Sequence, residues 1–174
     1  MTTDTMTDKT AEQTGQASEK TDQLTAQEKL QLLAKDLSTD FPRSPRTTLA
    51  GYVLAARAVD KCRAMLAGKG GEYHSGCPVD AMFLGFAEIP YEQFRDFVGT
   101  GADDAQIAAW IEKNAKPRPR IEIIRWNNEL RGKRVCELSD EVQEYLEDYV
   151  QEFVPRNRPV YTFFDVYDLE EERI

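Results

Sequence analysis

The sequence predicts a mainly α-helical protein: a compact single-domain helical bundle of six or seven helices with an extended aromatic C-terminal segment. Apolar residues recur at helical spacing in six or seven separate runs. Pro and Gly break the chain between those runs. Only one segment, near the C-terminus, favours strand by propensity, and it has no convincing partner strand. The 174 residues suit one domain preceded by a tail.

Residues 1–23 are rich in Thr, Gln, Asp, Glu and Lys and lack aliphatic periodicity. Such a segment buries too little surface to offset its ordering entropy, so a disordered polar tail is expected there. The domain is expected over residues 24–169. Thr25 and Glu28 form a capping-box signature, and Ala26, Leu30, Leu33 and Leu37 then share one helical face. Phe41-Pro-Arg-Ser-Pro-Arg46 follows as a rigid extended turn, since each proline disfavours helix in the residue before it.

The second helix is expected from about Thr47 to Ala67, ended by Gly68, Gly70 and Gly71. Its core face would be Tyr52, Ala55, Val59, Cys62 and Leu66. Arg57, Asp60 and Lys61 lie on the opposite side, among small residues. A loop from Glu72 leads to a third helix opened by Pro78, which leaves Cys77 at or beside the N-cap. Pro90 opens a fourth helix. Asp103 and Gln106 cap a fifth, through Ile107, Trp110 and Ile111. A sixth runs past Ile123, Trp126 and Leu130 to Gly132. Ser139 starts a seventh, where Val142, Tyr145, Leu146, Tyr149 and Phe153 make the cleanest amphipathic stripe. Residues 160–167 are aromatic and β-branched; strand, extended segment and short helix all stay open for them. Residues 170–174 read as a mobile acidic tail.

Composition narrows the function. A net charge of −9 argues against non-specific nucleic-acid binding. No apolar run reaches the roughly 20 residues of a membrane span, and no signal pattern opens the chain, so a cytoplasmic protein is expected. Three widely spaced cysteines do not suggest a disulfide framework. Charge is uneven, however. Residues 42–69 and residues 116–134 each carry a net +5. These blocks are either parts of a local anion site or separate solvated faces.

The stretch from Phe41 to Asp80 holds Cys62, Cys77 and the single histidine, His74. Arg43, Arg46, Arg57, Asp60, Lys61 and Tyr73 are the candidate ligand-binding residues, because guanidinium groups suit carboxylate or phosphate. Asp60 is expected to hold Arg57 or a neighbouring cation toward the Pro-Arg-Ser-Pro-Arg turn and the Tyr73–Cys77 loop. Cys77 and His74 are the candidate catalytic pair, a thiol at a helix N-terminus with a base nearby. The alternative is a cysteine that only caps or packs. Neither metal nor cofactor is expected: His74 and Cys77 form H-x-x-C, but Cys62 and Cys136 are isolated. No G-x-S-x-G elbow and no phosphate loop occurs. A small anionic ligand is the expected partner, with a thiol-dependent enzyme and a ligand-free structural or adaptor protein as alternatives.

The motifs L-x-x-D-F-P-R-S-P-R (Leu37–Arg46), G-Y-V-x-x-A-R-x-x-D-K-x-R-A-x-L-A-G (Gly51–Gly68), G-E-Y-H (Gly71–His74) and C-P-V-D (Cys77–Asp80) resemble a bacterial domain-of-unknown-function family, DUF5069. The resemblance covers about residues 36–169, where Ala50-Gly51-Tyr52 replaces the family's usual Gly-Gly-Tyr. It implies a small soluble bacterial domain and carries no activity, cofactor or catalytic residue.

Overall fold

The computed structural model describes residues 24–174; the tail expected over residues 1–23 lies outside the described residues. Eight α-helices follow in order: α1 (Ala26–Leu33), α2 (Ala55–Leu66), α3 (Pro78–Ala87), α4 (Tyr91–Val98), α5 (Asp104–Asn114), α6 (Arg120–Gly132), α7 (Asp140–Phe153) and α8 (Phe163–Glu170). A 3₁₀ turn, Val135–Glu137, joins α6 to α7. No strand occurs among the described residues, only an isolated bridge between Leu49 and Tyr52.

Local chemistry sets most helix starts. The Thr25–Glu28 and Asp103–Gln106 capping boxes are both formed and satisfy orphan N–H groups at the starts of α1 and α5. Pro78 occupies the first turn of α3, behind Cys77 as N-cap. Helix α1 ends at Leu33, a turn short of the expected Leu37, which is nonetheless buried.

α2 is the axis of the fold, with α1, α3 and α4 packed against it. Every residue from Ala55 to Ala64 is buried, so the helix has no solvated side. Alanines at 55, 56, 58 and 64 let the neighbouring backbones approach closely. Phe83, Phe94, Ile107, Ile111, Phe163 and Phe164 fill the surrounding core.

Helix α2 starts at Ala55, not near Thr47. The chain before it turns through Ala50 and Leu54, both with positive φ, and Gly51. Asn127 of α6 stabilises this irregular stretch. Its side chain accepts from the Val53 N–H at 3.0 Å and donates to the Gly51 carbonyl at 2.7 Å. A buried backbone group must have a partner, and Asn127 supplies the partners that a continuous helix would have supplied. Asn127→Ala is therefore expected to cost about 2 kcal/mol, the price of stranding a buried donor and acceptor. Urea melts of the variant check this.

The aromatic C-terminal segment is extended only through residue 162, and Phe163–Glu170 is helical. Two backbone N–H groups, of Tyr161 and Thr162, donate to the Asp165 carboxylate at 3.0 and 2.8 Å and hold the helix start. With no partner strand to pair with, the segment uses Asp165 and the Lys133 carbonyl, which accepts from the Phe163 N–H at 2.7 Å. Phe163, Phe164, Val166 and Leu169 join the core, and α8 packs against α6. The residues beyond it do not form a free acidic tail: Glu171 is buried, 2% exposed.

Candidate functional site

The charged residues of α2 are buried, and each is neutralised. Asp60 accepts from the Arg43 backbone N–H at 2.8 Å and from its guanidinium at 2.8–3.1 Å. Arg43 reaches on to Asp104 at 2.6 Å, and Arg63 meets the same carboxylate at 2.7 Å. Arg57, 3% exposed, donates to both Glu171 oxygens at 2.9 and 2.6 Å. It also touches the Arg43 carbonyl at 3.3 Å and lies over the rings of Tyr73 and Tyr167. Arg46, in the turn before α2, binds Asp165, Asp168 and Thr162 of the α8 region. The six expected ligand residues thus divide between separate clusters. Asp60 holds Arg43 rather than Arg57, while Arg57 does face the Pro-Arg-Ser-Pro-Arg turn and Tyr73, as expected.

Lys61 shares its ammonium between two groups. It pairs with Asp80 of α3 at 2.7 Å and donates to the Cys77 sulfur at 3.1 Å. Asp80 also accepts from the Gly76 N–H at 2.9 Å, tying the loop before α3 to its first turn. Cys77 is the half-exposed N-cap of α3; its sulfur accepts from the Lys61 ammonium and makes no cap hydrogen bond to the helix. The other cysteines differ. Burial pushes the Cys62 thiol up to about 11, and Cys136 is exposed.

Cys77 borders a cleft between the 72–79 segment and helices α7 and α8. The cleft has three chambers, of about 160, 350 and 570 Å³, and Tyr145 lines all three. The smallest brings Arg57, Lys61, Tyr73, His74 and Cys77 together. The 350 Å³ chamber is apolar, walled by Val79, Met82, Leu146 and Phe163 beside Cys77. Arg43, Arg46 and Asp60 line none of the three. His74 is exposed on the cleft wall, and no hydrogen bond joins it to Cys77 among the described residues.

The model of a family described as a domain of unknown function, DUF5069, matches residues 39–173. The chain belongs to the DUF5069 family. No curated protein matches it. The matched span takes in α2 to α8 and reaches Glu171 and Arg173, so the DUF5069 unit includes every ion pair of α2 and all but the Leu37 and Ser38 edge of the cleft. None of the described helices of this DUF5069 protein is long and apolar enough to cross a membrane.

The cleft residues that sequence reasoning missed come from the C-terminal third of the DUF5069 chain: Tyr145, Tyr149, Tyr167 and Glu170. Tyr145, Tyr149 and Phe153 were expected to face the core. Instead Tyr145 is 61% exposed and Phe153 46%, and only Leu146 of that stripe is buried. The available signal was the type of residue. A stripe of tyrosines carries hydroxyl groups that need partners, and it suits a wetted wall better than a core.

Proposed function

We propose that the chain binds a small organic molecule in the tyrosine-walled cleft and that Cys77 is the reactive group, a thiol nucleophile attended by Lys61. The Lys61–Cys77 contact at the N-terminus of α3 carries this reading. A cation beside a sulfur near the start of a helix is a setting in which reactive cysteines are found. The adjoining apolar chamber gives a bound molecule room next to that sulfur. His74 lines the same cleft and makes no hydrogen bond to Cys77 among the described residues.

An anionic ligand held by the cationic set receives less support. Arg57 and Lys61 line the cleft, but Glu171 and Asp80 already neutralise them. Arg43 and Arg46 hold the fold together through Asp60, Asp104, Asp165 and Asp168.

Peptide-resolved alkylation tests the thiol reading, because the chain carries its own controls. Buried Cys62 should be silent, and exposed Cys136 gives the rate of an ordinary thiol. An ordinary thiol is only a few per cent ionised at pH 7. Cys77 is expected to react with iodoacetamide about tenfold faster than Cys136, despite being less exposed. Lys61→Gln should slow Cys77 and leave Cys136 unchanged. A Cys77 rate at or below that of Cys136 in the folded protein removes the nucleophile reading.

A further inference from the structure

The widest chamber, of about 570 Å³, has a lining chemistry opposite to the one expected of an anion site. Its walls carry the aromatic rings of Phe41, Tyr73, Tyr145, Tyr149 and Phe153. Two carboxylates, Glu72 and Glu170, face it, against a single histidine, His74, and no lysine or arginine. We propose that this chamber is a binding site for an organic cation, an alkylammonium group that sits against the tyrosine faces with Glu170 as its counter-ion. Cys77 does not line this chamber, although Tyr73, Tyr145, Tyr149 and Glu170 line both it and the smallest chamber, where Cys77 sits.

Glu170 is the decisive residue. The fully buried carboxylates Asp60, Asp80, Asp165, Asp168 and Glu171 each have a lysine or arginine within 4.0 Å. Glu170 is half-buried and has none among the described residues. Its nearest partner is neutral: the Tyr149 hydroxyl donates to it at 2.7 Å. The fold thus pairs its buried acids directly with internal cations, whereas Glu170 faces the cavity with Arg57 acting on it only at longer range.

The rings suit a cation as well. Burial pushes the phenols of Tyr73, Tyr145 and Tyr149 above their ordinary range, so they stay neutral and present their π faces. A cation within about 6 Å of such faces is attracted by their quadrupoles, and quaternary ammonium ligands are recognised in this way. The chain already uses this contact internally, where Arg57 lies 4.9 Å from the Tyr167 ring centroid. The volume falls in the usual range for small-ligand pockets, roughly 300–1,000 Å³. Tyr145 and Phe153 remain largely exposed at the rim, where a ligand would cover them.

The test is a melting-temperature titration at constant ionic strength, with three kinds of probe. Choline and butylammonium chloride supply the cation. 3,3-Dimethyl-1-butanol has the shape of choline without its charge. Sodium acetate and phosphate are the anions. A ligand that binds only the native state raises its stability, so choline and butylammonium should give saturable upward shifts. The neutral isostere and the anions should give none. Glu170→Gln should weaken cation binding at least tenfold while the unliganded variant melts no lower than wild type. Cys136→Ser, at an exposed cysteine that lines none of the chambers, should bind the cations as wild type does. The proposal is overturned if the neutral isostere stabilises as much as choline. It is equally overturned if Glu170→Gln responds like wild type, or if neither cation gives a saturable shift.

Discussion

Replacing Glu171 by alanine is expected to lower the unfolding free energy by about 3–5 kcal/mol, the usual cost of breaking a buried ion pair by removing one partner. Arg57 is 3% exposed and Glu171 2%. Without the carboxylate, the guanidinium keeps only the Arg43 carbonyl at 3.3 Å and the two tyrosine faces. Two further groups lose a partner, because the Tyr73 hydroxyl and Arg173 also donate to Glu171. Burial and the neighbouring Arg57 charge already hold the Arg173 pKa below its ordinary value, so removing Glu171 leaves two guanidiniums facing each other. Glu171→Gln keeps the shape but not the charge and should lose most of the same stability. Pairing it with Arg57→Met should recover much of the loss, since an apolar replacement of both partners avoids the stranded charge. Urea melts followed by tryptophan fluorescence decide the matter. A loss under about 1 kcal/mol for Glu171→Ala would mean that the pair is solvated and not buried.

The same residue shows where sequence reading stops. Its partner lies 114 positions away, and nothing near either residue marks the pairing. A short acidic run reads as solvated, whereas here Glu171 is buried and Glu172 beside it is exposed. Helix starts were legible because their causes are local: Thr25 with Glu28, Asp103 with Gln106, and Pro78 after Cys77. The start of α2 was not, because what replaces its first two turns is Asn127, 74 and 76 positions from its partners Val53 and Gly51. The helicity of residues 163–170, one of three conformations the sequence leaves open, has a local cause: Asp165 caps two N–H groups before it. Helical periodicity assigned Arg57, Asp60 and Lys61 to one side of α2 correctly. Periodicity does not say whether that side meets water or another helix. The cleft depended on this point twice, for the charged side of α2 and for the tyrosine side of α7.

Asp60→Ala is expected to cost about 3 kcal/mol, for a related reason in a more exposed setting. The Asp60 side chain is 6% exposed, whereas its partner Arg43 is 26% exposed. Removal strands both a backbone N–H and a guanidinium edge, since Asp60 accepts from the Arg43 main chain and side chain together. Asp104 moderates the loss by keeping its own 2.6 Å contact with Arg43. Asp60→Asn should cost less than Asp60→Ala, because its side-chain oxygen can still accept from the Arg43 N–H. Acid attacks the same cluster from the other side. Burial raises the Asp104 carboxyl, but hydrogen bonds from Arg43 and Arg63 outweigh it and hold the pKa below its ordinary 3.8. A carboxyl lowered in the folded state contributes stability that is complete above its unfolded pKa and lost as pH falls below it. Melts of wild type between pH 7 and pH 3 should therefore show stability falling as the pH nears and passes below 4. The helices should remain largely formed in Asp60→Ala at pH 7, because the apolar core of α2, α3 and α4 is untouched. A loss under about 1 kcal/mol would assign Asp60 and Arg43 to a solvated surface pair, and the turn from Phe41 to Arg46 would then need another anchor.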